Sequence, residues 1–339
     1  TPLALLAALL ENRRVVDVAR VVGACREVAR WGEGRGKLAT ALAFAQAAAV
    51  ADAENASLAV AVGRYARMRA EYERAESWFE HAIVLARLTR DWQAYAEAYA
   101  GLGNLYVQKG SFPRARQYHQ RCLSAARRYA LHEMEGAALH NLCCVAIEVG
   151  NDIEADEFAS RALNAYPANN VGLVRLAYDV AYRWAVNGQF GRALTVAREL
   201  KLCFGQPVDR ILAAGLLARV AGGAGDESAF EDGSAEVWCL LGRPGAETGA
   251  ARGLLGLAFG AAHLGEWKRA ARVLRRSIEI ATARNEEKVR SSAEMLLVSV
   301  EGEIMPCDFP SYAAGRAADG LARRFADALR EVRAAAVPE

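Results

Sequence analysis

In Ala98-Tyr99-Ala100-Gly101-Leu102-Gly103-Asn104-Leu105-Tyr106-Val107-Gln108-Lys109-Gly110-Ser111-Phe112-Pro113-Arg114-Ala115, four residues share one helical stripe: Tyr99, Leu102, Gly103 and Tyr106. Gly110 ends that helix, and Phe112-Pro113 opens a second, proline being tolerated in a first turn. Ala115, His119, Cys122 and Leu123 form the second helix's inner stripe. These marks recur at a fixed step of 40 residues. Gly63, Gly103 and Cys143 keep it, as do Ala75, Ala115 and Ala155; Ala82, Cys122 and Ala162; and Ile83, Leu123 and Leu163. One register held over three copies means stacked supersecondary units, not a single globular core.

Neighbouring segments carry the pattern with variations. The first copy has Val62-Gly63, Ala66, Tyr72, Ala75, Phe79 and Ala82; the third has Leu142-Cys143, Ala146, Gly150, Ala155, Ala162 and Pro167. A fourth reads Val180-Ala181, Trp184, Gly188, Phe190, Ala193 and Ala197, and a later one Leu257-Ala258, Ala261, Gly265, Trp267, Ala270 and Leu274. Each small position has a mechanical reason. Where two helices cross, glycine or alanine lets the axes approach to about 8–10 Å, and Tyr106 or Trp184 fills the adjoining hole.

The L-G-x-x-Y core of Leu102 to Tyr106, with Gly110 and Ala115 downstream, resembles the tetratricopeptide repeat. A 40-residue step is longer than that family's commonest repeat and is similar to the subclass found in kinesin light chains and bacterial sensor and regulator proteins. The resemblance implies an all-α fold, a right-handed α-solenoid (superhelix) of about eight helical hairpins forming one domain over residues 1–339. Within it, 13–54 forms a degenerate N-terminal pair and 55–206 the clearest repeats. Residues 207–245 make a degenerate repeat, 246–285 a further repeat, and 286–335 a C-terminal pair and cap. Gly222-Gly223-Ala224-Gly225-Asp226 and Gly242-Arg243-Pro244-Gly245 read as turns between helices, a softened joint being the alternative. After a loop at Met305–Pro310, a last helix from Ser311 to Arg333 is expected to cap the final repeat, with Arg323, Arg324, Arg330 and Arg333 outward.

Composition narrows the function classes. Hydrophobic content is 53%, much of it alanine, and proline is scarce, which agrees with closely packed helices. The net charge of +2 sets up no global field toward nucleic acid or membrane, so neither is an expected partner. Among 42 basic residues only Lys37, Lys109, Lys201, Lys268 and Lys288 are lysine. Seven scattered cysteines without C-x-x-C point to a reduced, cytoplasmic protein. Leu3 to Leu10 is too short to span a bilayer and lacks the basic leader of a secretory signal. A start at Thr1-Pro2 fits a trimmed fragment of a longer chain.

No catalytic, cofactor-binding or metal-ligating set can be assembled from spacing. The histidines (81, 119, 132, 140 and 263) show no H-E-x-x-H and no cysteine partners at metal spacing. Gly222 to Asp226 lacks the Lys-Ser/Thr of a phosphate loop. The expected protein is therefore not an enzyme and carries no cofactor.

The helices do offer a second stripe. Glu97, Gly101, Asn104 and Gln108 line another face of their helix, at i, i+4, i+7 and i+11. Equivalent sets are Ser57, Ala61, Arg64 and Met68; Ala137, Asn141, Cys144 and Glu148; and Arg175, Asp179, Tyr182 and Val186. In tetratricopeptide arrays this face lines the concave groove. Asn104 followed by Asn141 resembles the asparagine pair with which these families hold a peptide backbone, an amide being both donor and acceptor. Arg175 falls where the carboxylate-clamp subclass carries a basic residue, while Ala100 and Asp179 depart from its other basic positions. The candidate partner-binding set is Arg64, Glu97, Asn104, Gln108, His140, Asn141, Arg175 and Tyr182. It predicts a non-enzymatic scaffold that holds a protein or extended peptide. A ligand- or peptide-sensing module of a larger bacterial transcriptional or signalling protein, and a self-assembling structural scaffold, are the alternatives.

Overall fold

Short polar side chains open many of the helices. Asp91 accepts a hydrogen bond from the Ala94 amide at 3.0 Å, Asn151 from Glu154 at 3.2 Å, and Asp226 from Ala229 at 3.0 Å. Left-handed residues close the first helix of successive hairpins: Gly110 (φ 70), Gly150 (φ 76), Gly188 (φ 72), Gly225 (φ 72) and Gly265 (φ 75). Ala70 (φ 60) takes the same conformation one step before Gly110, where a side chain makes it strained.

A computed structural model describes residues 17–167, 170–304 and 316–335, with Pro2 and Ala7. Among these residues there are helices and no strands. Contacts divide the chain into two compact units, meeting at Tyr166 and Pro167.

The first unit contains α1 (Val18–Gly34), α2 (Leu38–Ala51), α3 (Ala56–Met68), α4 (Tyr72–Thr89), α5 (Trp92–Gln108), α6 (Phe112–Arg128), α7 (His132–Glu148) and α8 (Asp152–Ala165). Consecutive helices pair as hairpins, α1 with α2 through α7 with α8, and α3, α5 and α7 also touch in succession. The small residues lie where the helices close. A Cβ on Gly63 would stand 2.8 Å from the Phe79 ring, and one on Gly103 would stand 2.3 Å from His119. Phe79 and His119 are themselves 40 residues apart, so one notch is filled by a ring in both copies. In the third copy the same two positions hold Cys143 and Ala159, both fully buried, with bulk moved from one helix to the other.

The second unit contains α9 (Val171–Val186), α10 (Phe190–Leu200), α11 (Pro207–Ala224), α12 (Glu227–Leu240), α13 (Glu247–His263), α14 (Trp267–Ala283), α15 (Glu287–Glu301) and α16 (Arg316–Ala335). The hairpins are α9 with α10, α11 with α12 and α13 with α14, and α15 follows on α14 and α13. Gly222 and Gly223 are helical residues inside α11, neither turn nor joint, and only Gly225 caps it. A Cβ on Gly222 would lie 2.2 Å from the Gly260 carbonyl oxygen, and one on Gly215 2.6 Å from that of Gly253. Glycine thus brings α11 and α13 into backbone contact. Gly242 (φ 85) and Gly245 (φ 89) do form a turn.

The last helix departs from expectation. α16 packs on α10 and α9, the first hairpin of its unit, instead of capping α15. Its apolar stripe requires cover: Phe325 and Leu329 are fully buried, and Phe325 meets Trp184 edge-on at 6.3 Å. Arg330 and Arg333 donate to Glu199 of α10, at 2.8 and 3.5 Å. Two of the arginines expected on an outer face therefore fasten the helix down. The expected loop at Met305–Pro310, the start of the last helix at Ser311 and most of Leu3–Leu10 lie outside the described residues.

Candidate functional site

The second stripe occupies one face of α3, α5 and α7, helices that contact one another in that order. Asn104 on α5 and Asn141 on α7 are half-buried. Among the described residues neither side-chain amide makes a hydrogen bond, so each keeps its donors and its acceptor. A purely structural asparagine would bridge neighbouring helices; these two do not.

Around them the candidate residues divide. Gln108 is exposed, and Glu97 accepts a bond of 2.8 Å from Gln93 one turn earlier. Gly101, a member of the same stripe, closes on α4: a Cβ there would stand 2.3 Å from Phe79. Arg64 forms a fork with Glu33 of α1 at 3.1 and 3.0 Å, and the Tyr65 hydroxyl donates to the same carboxylate at 2.9 Å. Burial and that carboxylate raise the Tyr65 pKa, keeping the hydroxyl a donor. Beside this fork lies a cleft of about 160 Å³ lined by Arg26, Arg30, Ala61 and Arg64 with small residues of α2. His140 is steadied by Tyr166, whose hydroxyl lies 3.4 Å from Nδ1. Arg175 and Tyr182 belong to the second unit, both exposed on α9. Tyr182 stacks on Tyr178 at 6.3 Å and lies 5.5 Å from the Arg219 guanidinium.

Tyr99 corrects another expectation. Its place on the core stripe predicts burial, yet it is half-buried and helps line a cavity of about 410 Å³ together with Tyr95 and residues of α6.

Residues 98–132 match the family model of the tetratricopeptide repeat, spanning most of the α5–α6 hairpin and the turn after it. That hairpin is a tetratricopeptide repeat by this match, and the helical pairs beside it carry the same spacing. No curated protein sequence matches it. Among solved structures, the anaphase-promoting-complex hetero-tetramer Cut9–Hcn1 is similar, with a TM-score of 0.57 and 14% identity over 88% of this chain and 52% of that one. A Rap protein complexed with competence and sporulation factor has a TM-score of 0.53 and 11% identity, covering 87% of this chain and 79% of that one. A Podosopora anserina putative kinesin light chain with nearly identical repeats gives 0.46 and 16%, over 56% of this chain and 95% of that one. At such identities the first two likenesses are of fold alone, and they agree with an all-α stack of helical hairpins. No helix among the described residues is long and apolar enough to cross a membrane.

Proposed function

We propose that this tetratricopeptide protein is a non-enzymatic scaffold that holds an extended segment of a partner protein against the stripe of α3, α5 and α7. The observation that carries the reading is the pair of half-buried, unbonded amides of Asn104 and Asn141 on adjoining helices. An amide can accept from a backbone N–H and donate to a backbone carbonyl, and so grips a strand without reading its side chains. Partial burial strengthens such bonds by excluding competing water. Glu97, Gln108 and His140 would border the segment. Arg64, tied to Glu33, would serve by shaping the cleft more than by offering a free charge. On α9, Arg175 and Tyr182 are the corresponding candidates in the second unit. The Rap protein of similar fold, solved in complex with competence and sporulation factor, supports this reading.

Capture of partners and their identification by mass spectrometry supplies the ligand, and calorimetric titration then tests the site. Replacing Asn104 and Asn141 together by alanine removes two hydrogen-bonding groups at about 0.5–1.5 kcal/mol each. Affinity should fall by roughly 5- to 150-fold with an unchanged melting temperature. Lowered melting with unchanged affinity would make the asparagines structural and end the assignment.

A further inference from the structure

The cavity beside Tyr99 lies on a different side of α5 from Asn104. At 3.6 residues per turn, Tyr95 and Tyr99 are about half a turn round the helix from Asn104. Its walls are Tyr95, Tyr99 and Tyr129 on one hand, and Gln117, Gln120, Arg121, Ser124 and Arg128 of α6 on the other, with no carboxylate. The arginines are set on aromatic rings: Arg121 lies 5.9 Å from Tyr99 and 5.5 Å from Tyr118, and Arg128 lies 5.6 Å from Tyr129. Neither forms an ion pair among the described residues. Their neighbours on the same helix do, Arg116 with Glu154 and Arg127 with Glu135. Arg87 of α4 adds positive potential at Tyr99.

We propose that this cavity is a second binding site, for an acidic segment of a partner protein whose carboxylates pair with Arg121 and Arg128. Seven residues apart on one helix, the Cα atoms of Arg121 and Arg128 are separated by about 10 Å along its axis, a span that an extended peptide bridges in three residues. Ring contacts hold each cation in place, so less side-chain freedom is lost when a carboxylate arrives. Gln117, Gln120 and Ser124 supply neutral donors and acceptors for the peptide between them. Tyr95 and Tyr99 approach each other edge-to-face at 4.9 Å, their hydroxyls 3.3 Å apart. Burial first, and the Tyr95 hydrogen bond second, push the Tyr99 phenol up to about 12, so it stays neutral. The rings favour a peptide over single-stranded nucleic acid. Trp92 is already stacked on Tyr129 at 4.1 Å, and Tyr95 and Tyr99 meet edge-on, so few open faces remain for bases.

The test uses the full chain and a short fluorescein-labelled peptide of alternating glutamate and serine, followed by anisotropy. Comparison ligands are the same peptide with glutamine for glutamate and an oligothymidylate of equal net charge. The acidic peptide should bind, weaken with salt, and lose about tenfold or more in affinity to the Arg121→Gln/Arg128→Gln variant. Gln120→Glu, which places a negative charge in the cavity and leaves both arginines intact, should weaken it similarly, and it serves if the double variant folds poorly. The Asn104→Ala/Asn141→Ala variant should bind the peptide normally, which separates this site from the asparagine stripe. Equal affinity for the glutamine peptide, tighter binding of oligothymidylate, or unchanged binding by both cavity variants would overturn the proposal.

Discussion

Replacing Gly103 by alanine tests the packing register at its tightest point. The new methyl carbon would stand 2.3 Å from His119 Cε1, 2.5 Å from Nδ1 and 2.6 Å from Nε2. Carbon atoms in favourable contact are about 3.5–4.0 Å apart, so the ring must retreat by more than about 1 Å. His119 is fully buried. Overpacking of this kind costs about 1–3 kcal/mol. Alanine returns about 0.8–1 kcal/mol through its greater helix propensity, leaving a net loss on the order of 1 kcal/mol. In a His119→Ala background the obstacle is gone, and Gly103→Ala should stabilise by about 0.5–1 kcal/mol. The sign of the substitution therefore reverses with the residue 16 positions away. Urea denaturation of the four proteins of this cycle gives the interaction energy directly, expected at about 1–3 kcal/mol. A value under about 0.5 kcal/mol would mean that His119 does not occupy the Gly103 notch, and the 40-residue register built on that contact would fall.

Two further outcomes follow from buried groups. Burial holds the His119 imidazole down at about 4, and burial together with Arg219 does the same for His263, against an ordinary 6.5. Between those values the unfolded chain binds protons that the folded chain refuses, so stability should be level above about pH 6.5 and fall as pH drops toward 4. The His119 share is on the order of 3 kcal/mol, and denaturant melts of His119→Leu should show a shallower decline over that window; an unaltered slope would refute the assignment. At the α11–α13 contact, Gly222→Ala drives a methyl to 2.2 Å from a backbone oxygen that cannot rotate aside, and should destabilise by about 1–3 kcal/mol. Gly23→Ala, on an exposed face of α1 with nothing within 4 Å, should stabilise by about 0.5–1 kcal/mol; similar effects of the two in thermal melts would contradict the close approach.

Much of the architecture was legible because its signals are local. Tyr99 apart, the stripe of Leu102, Gly103 and Tyr106 and the stops at Gly110, Gly150, Gly188 and Gly265 depend only on helical period and turn conformation. Even the hairpin read as degenerate keeps the step, with Leu217, Ala218, Ala221 and Gly225 standing 40 residues before Leu257, Ala258, Ala261 and Gly265. Its extra glycines hid it: Gly222 and Gly223 read as a turn in the chain alone, and only the backbone of α13 lying against Gly215 and Gly222 explains why these helical positions are glycine. The asparagine stripe could be placed on its helices from spacing, but whether its amides are spent on neighbours could not, because a hydrogen bond between helices has no period. Arg64 shows the difference, its charge absorbed by Glu33 from two helices earlier. Tyr99 and α16 show it again. An apolar stripe states that a surface must be covered, while what covers it depends on where the chain returns, and that is decided by packing between segments far apart in sequence.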